Sequence, residues 1–236
     1  MQSPVESTVP ALRGISSMAT RLLLTELADA YRAATCTSLQ LESVGGVDAA
    51  KRVQAGEVFD AIFLASDAID KLLATGHVLS GSRVDLVHSG VAVAVPAGAP
   101  VPDISSEDAV RAAVLASPTV SYSTGPSGVA LAKLFERWGI ADAIQSRLVQ
   151  APPGVPVGAL VARGEVALGF QQLSELIHVE GITIVGPLPE AIQITTTFSA
   201  GIGSQSPQAE AVRALLAFMA APQAAAAKLR QGMQPA

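Results

Sequence analysis

The sequence predicts a layered α/β protein of two lobes, joined by two crossover strands with a ligand cleft between the lobes. Three observations predict it. Short apolar strands alternate with amphipathic helices in two successive series; half of the residues are hydrophobic but only 4% are aromatic; and two long strand-like segments, 84–96 and 193–202, are placed to pass between the series.

The first series reads as strand 9–15, helix 18–33, strand 39–43, helix 47–55, strand 61–65 and helix 67–74. Leu22, Leu23, Leu27, Ala30 and Tyr31 fall on one helical face, whereas the strands AIFLA and GVAVAVP are apolar on both faces and need helices on each side. The second series reads as helix 105–115, strand 119–123, helix 127–139, strand 146–149, helix 155–162 and strand 166–170. Asp108 three residues after Ser105 predicts a capping box at the start of helix 105–115, and Gly139 predicts a helix end. Residues 206–220 and 222–231 read as two helices packing back on the first lobe. The expected division is 1–88 with 200–236 for lobe 1, 93–195 for lobe 2, and hinges at 84–96 and 193–202.

Charge narrows the partners. The chain of 236 residues carries 15 basic and 20 acidic residues, a net charge of −5, with no basic run, which excludes a nucleic-acid or anionic-membrane surface. Cys36 has no partner for an internal disulfide, and His77, His88 and His178 lack metal-ligand spacing, so neither a metal nor a cofactor is expected. No stretch reaches the roughly 18 apolar residues of a membrane span, and MQSPVESTVP lacks the apolar core of a signal peptide. For an exported protein, the leader is therefore expected to be missing from this chain. A monomer is expected.

The chemistry-bearing features are three strand-to-helix junctions: Gly14-Ile15-Ser16-Ser17, Ser43-Val44-Gly45-Gly46, and Ser123-Thr124-Gly125-Pro126-Ser127-Gly128. The first turn of a helix has unpaired N–H donors and a positive dipole end, and small residues let an oxyanion approach. In open α/β sheets, ligands gather at the carboxyl ends of the strands, where all three junctions fall. The plainer alternative is that Ser17, Ser43 and Ser127 only cap or turn the chain. Neither a phosphate-binding P-loop nor a dinucleotide fingerprint occurs.

The run of pieces RGISSMATRLLLTELADAY, SVGGVDAAKRVQAGEVFDAIFLASDAIDKLL, SYSTGPSGVALAKLFERWGI and VGALVARGEVALGFQQLSEL resembles the periplasmic molybdate-binding proteins over nearly the whole chain. The resemblance implies a type II periplasmic binding protein fold, an oxyanion held by hydroxyls and backbone amides, and the membrane component of an ABC importer as partner. It places Ser16 or Ser17 at the family's first serine ligand and the turn Thr124, Gly125, Ser127 at its backbone contact in the second lobe. Two positions depart from the pattern: a Ser/Ser turn is Gly45-Gly46-Val47 here, and a tyrosine is replaced around Phe170, Gln171 and Gln172. Both changes remove hydroxyl donors and add room, which suits a compact tetrahedral dianion less than an organic polycarboxylate. Lys51 or Arg52, one turn into helix 47–55, is then available as counter-charge, against the plain alternative of a solvated basic face.

A divergent branch resembling these proteins works as an aconitate isomerase, moving a proton across an allylic system between trans- and cis-aconitate without a cofactor. On that reading, His88, Asp48, Lys51 and Tyr122 are candidates for the proton work. Three readings stay open: a carboxylate receptor, an isomerase of the aconitate type on the same scaffold, and a receptor for molybdate or a like oxyanion.

Overall fold

The computed structural model describes residues 11–152 and 154–236. The first lobe contains β1 (Leu12–Ser17), a 3-10 turn at Met18–Thr20, α1 (Arg21–Thr35), β2 (Leu39–Val44), α2 (Gly46–Gln54), β3 (Ala61–Ala65) and α3 (Ser66–Ala74). The long strand β4 (Val84–Pro96) leads into the second lobe. There follow α4 (Glu107–Ala116), β5 (Val120–Tyr122), α5 (Pro126–Arg137), α6 (Ala141–Ile144), β6 (Leu148–Gln150), α7 (Val157–Ala162), β7 (Leu168–Gln172), α8 (Leu173–Leu176) and β8 (Ile182–Pro187). The chain returns through β9 (Thr195–Ile202) and ends with α9 (Ala209–Ala220), α10 (Ala225–Arg230) and β10 (Gln234–Pro235).

The strand order is β2-β1-β3-β9-β4-β7-β5-β6, with β8 and β10 also paired to β4. The βαβ units are parallel: β1 lies between β2 and β3, and β5 between β6 and β7. β4 joins the two halves. Its residues Val84 to Gly90 pair with β9 in the first lobe, and Val91 to Pro96 pair with β7 and β8 in the second.

Alternation along the strands explains the layers. In β3, Ala61, Phe63 and Ala65 enter the core beneath α1 and α9, while Ile62 and Leu64 enter the opposite one with Ala49 and Val53 of α2 and Ile69 and Leu72 of α3. In β4, Val91, Val93 and Val95 face the core built with α4 and α5, and Ala92 and Ala94 face Leu176 of α8. Strands apolar on both faces are thus covered twice, as parallel α/β sheets require. The C-terminal helices do pack on the first lobe, where Val212, Leu215, Met219 and Ala227 join Leu23, Leu27 and Tyr31.

The structure departs from the sequence expectations in several places. The first strand is shifted to Leu12–Ser17, and positions 9 and 10 of the expected strand lie outside the described residues. Helix α4 starts two residues later than expected, at Glu107: Ser106 accepts from the Ala109 N–H at 3.2 Å, whereas the Ser105 N–H turns to Asp103 Oδ1 at 2.8 Å, so no Ser105/Asp108 capping box forms. The return crossing is shorter than expected. β9 pairs only with β3 and β4 of the first lobe, and the link between sheets narrows to Gln193 and Ile194, whose Oε1 and carbonyl oxygen both accept from the Val91 N–H at 3.0 and 3.1 Å. Strand β10 and the helices α6 and α8, of two and four residues, are too short to show a period, and the six-residue strand β8 is not among the elements expected from the sequence.

Candidate functional site

The carboxyl ends of β1, β2, β3, β5 and β7 open on one cleft between the lobes, a cavity of about 550 Å³. Helix starts furnish much of its wall. Ser17 and Met18 come from the first junction, Gly45 to Asp48 from the start of α2, Ala65, Asp67 and Ala68 from the start of α3, and Ser123 to Ser127 from the start of α5. None of these helices has a side-chain cap: the N-cap residues are Gly45, Ala65 and Gly125, in contrast to Ser106 on α4 outside the cleft. Their first-turn N–H groups thus receive no side-chain cap, and uncapped helix starts are the kind of feature that binds carboxylate or oxyanion oxygens.

Glycine sets the shape at two of these turns. A side chain on Gly128 would overlap the Ser123 carbonyl oxygen, so only glycine lets α5 start this close to the end of β5. At Gly46 an added Cβ would meet Ser17 Cβ at 3.5 Å, an ordinary contact, so glycine here leaves open space beside Ser17.

The far wall is amide and carboxyl. Gln172 is buried; its Nε2 donates to Thr196 Oγ1 at 2.9 Å, and its Oε1 has no protein partner. Gln171 Oε1 accepts from the Gly158 N–H at 2.9 Å, leaving its Nε2 toward Glu175. Glu175 lines the cavity and is partly covered, and the protein around it pushes its carboxyl up from 4.5 to about 7, with the Gln171 amide working in the opposite direction. Lys51 and Lys71 stand on the exposed side of the cleft with Asp48 and Asp67; Lys71 lies 3.6 Å from Asp67.

The candidates read from sequence therefore divide. Ser17, Gly45, Gly46, Val47, Asp48, Lys51, Thr124, Gly125, Ser127, Gln171 and Gln172 all line the cleft. Ser16, His88, Tyr122, Arg52 and Phe170 do not. Ser16 alternates away from Ser17 along β1 and shares a hydrogen bond with Ser43 Oγ at 2.8 Å. His88 sits where β4 runs between β9 and β10, its Nδ1 3.0 Å from Thr197 Oγ1. Tyr122 packs edge-on against Phe135, centroids 6.4 Å apart, and Phe170 packs against the same ring from the other strand at 6.2 Å. Arg52 is held over Phe59 by Glu42 and Glu57, with Nε 2.7 Å from Glu57 Oε2. A one-residue step along a strand, or a partner close in space but distant in sequence, decides each case.

Sequence reasoning missed Lys71, the α3 start and Glu175. The last was within reach: Glu175 follows Gln172 by three residues, one turn into the helix after β7, where the same strand-to-helix logic applies. Among the described residues no cluster of His, Cys, Asp and Glu could hold a metal ion, and no helix is long and apolar enough to cross a membrane.

The chain is 41% identical over 233 residues to the aconitate isomerase of Pseudomonas sp., covering 96% of this chain and 88% of that one. Its fold matches the periplasmic molybdate-binding protein of Azotobacter vinelandii with a TM-score of 0.78 at 21% identity, over 94% of this chain and 98% of that one. The tungstate-binding protein of Desulfovibrio alaskensis superposes with a TM-score of 0.70 at 18% identity, over 97% and 99% of the two chains. The bacterial extracellular solute-binding protein model matches residues 12–234, and the chain belongs to that family.

Proposed function

We propose that the cleft binds a small organic polycarboxylate, a tricarboxylate such as aconitate, and interconverts its trans and cis forms without a cofactor. The observation that carries this reading is the cleft wall: uncapped helix starts from both lobes, α2 and α3 from the first and α5 from the second, together with a buried amide pair and a carboxyl group on the second lobe. The likeness to an aconitate isomerase along almost the whole chain supports it. A volume of about 550 Å³ fits the range of about 300–1,000 Å³ usual for organic ligands.

In this reading, helix N–H groups and the Ser17 and Ser127 hydroxyls hold carboxylates, with Lys51 and Lys71 as counter-charges at the rim. Removing a proton from the methylene group spreads negative charge over the allylic system and its carboxylates. Fixed donors aimed at those oxygens stabilise that charge more than the ground state, which is what accelerates the step. We place the protein in the periplasm, in keeping with an extracellular solute-binding family.

The alternative is a non-enzymatic receptor delivering molybdate or a similar oxyanion to an ABC importer; retention of Ser17 and the Thr124–Ser127 turn in the cleft favours it. Incubating the purified protein with trans-aconitate and following the cis isomer by chromatography separates the two. A ligand at about a hundred times its Kd should stabilise the fold by roughly 2.7 kcal/mol. Turnover with stabilisation by citrate supports the proposal; stabilisation by molybdate or tungstate without turnover sinks it.

A further inference from the structure

We infer that Glu175 is the group that carries the proton in the isomerisation, held in place by Gln171; this rests on the isomerase reading above. Among the described residues, four other ionisable side chains line the cleft, Asp48, Lys51, Asp67 and Lys71, and all are exposed to solvent. Glu175 stands apart from them on the amide wall, partly covered, one turn beyond the end of β7.

Its surroundings are uncharged. Among the described residues, β4, β7 and the Met18–Thr20 turn pack on α8, with Gly158 of α7 and Ile182 and Ile184 of β8 near Leu176 and Gly232 against Leu173; of these, only β4 brings ionisable groups. On β4, Asp85 is engaged by Ser199 and Arg83, and His88 by Thr197. Burial alone raises the carboxyl to about 7, opposed only by Gln171, so both its forms are populated near neutral pH. A group that must take a proton and give it back works best in that range.

The step balances within the ligand. The Glu175 carboxylate takes a proton from the methylene carbon, and that C–H electron pair becomes the new double bond. The old double-bond pair receives the proton from the Glu175 carboxylic acid at the former vinylic carbon, and the carboxylate is restored. One group on one face of the substrate suffices. Gln171 is a positioning residue, its own amide oriented by the Gly158 N–H.

The test compares wild type with Glu175→Gln and Glu175→Asp. For Glu175→Gln we expect a loss of at least about 100-fold in kcat with KM changed by less than about threefold, and stabilisation by citrate retained. In the wild type, kcat/KM should rise with pH through an inflection near 7. Glu175→Asp should keep measurable turnover with a displaced inflection, so a folding defect in the glutamine variant leaves the inference open to refutation. Wild-type kinetics in Glu175→Gln, or an inflection unmoved in Glu175→Asp, overturns it. Absence of turnover in the wild type overturns the isomerase reading itself, which keeps the two failures apart.

Discussion

The Gly158 N–H donates to Gln171 Oε1 at 2.9 Å, and that bond determines which end of the Gln171 amide faces Glu175. A backbone group of α7 thereby sets the environment of a carboxyl group on α8. Replacing Gln171 by Leu removes the one interaction that lowers the Glu175 carboxyl. The pH midpoint of kcat/KM should move upward in Gln171→Leu, and the pH–rate profile measures it.

The same carboxyl links stability to pH. Its folded value of about 7 lies above the 4.5 of an ordinary glutamate, so the folded state binds the proton more tightly than the unfolded chain. Its stabilising contribution is complete below pH 4.5 and is lost as pH rises to about 7. Glu175→Gln should flatten that part of the stability profile, as urea titrations at several pH values would reveal.

At the first junction, Ser17→Ala should weaken polycarboxylate binding by about 1–2 kcal/mol through the loss of one charge-assisted hydrogen bond. Calorimetric titration with citrate reads this directly. Unchanged affinity would mean that the Ser17 hydroxyl serves only Thr20, 3.4 Å away.

Gly128→Ala drives a methyl group into the Ser123 carbonyl and should cost about 3 kcal/mol of stability while pulling the α5 start back from the cleft. Thermal unfolding checks the first effect, and a rise in KM for the tricarboxylate checks the second.

Lys51→Met should weaken binding by up to about 1 kcal/mol, an effect that fades as salt is added, because Lys51 is an exposed rim charge. Arg52→Met should leave affinity unchanged, since Glu42 and Glu57 hold Arg52 over Phe59 outside the cleft. Binding titrations at two salt concentrations distinguish the two positions.

The sequence by itself determined the layered α/β class, the two series of elements, and the three junctions whose small residues reach the cleft. These are local properties: apolar period, turn chemistry and the absence of bulky side chains at helix starts are written in contiguous residues. Strand Ala61–Ala65 was legible to the residue because its five apolar positions are bounded on both sides.

Only the tertiary structure decided which polar side chains share the cleft. Arg52 and Lys51 are neighbours in sequence, yet Glu42, ten residues earlier on β2, takes Arg52 out of the site. Ser16 and Ser17 are equally plausible in a string of letters, and the strand's alternation sends one to Ser43 and the other to the cleft. The place of Glu175 near a strand end can be read from the sequence, but its environment cannot: the fold surrounds it with uncharged protein and a glutamine whose orientation is fixed from another helix. Desolvation depends on everything that packs around a group, and no spacing along the chain encodes it.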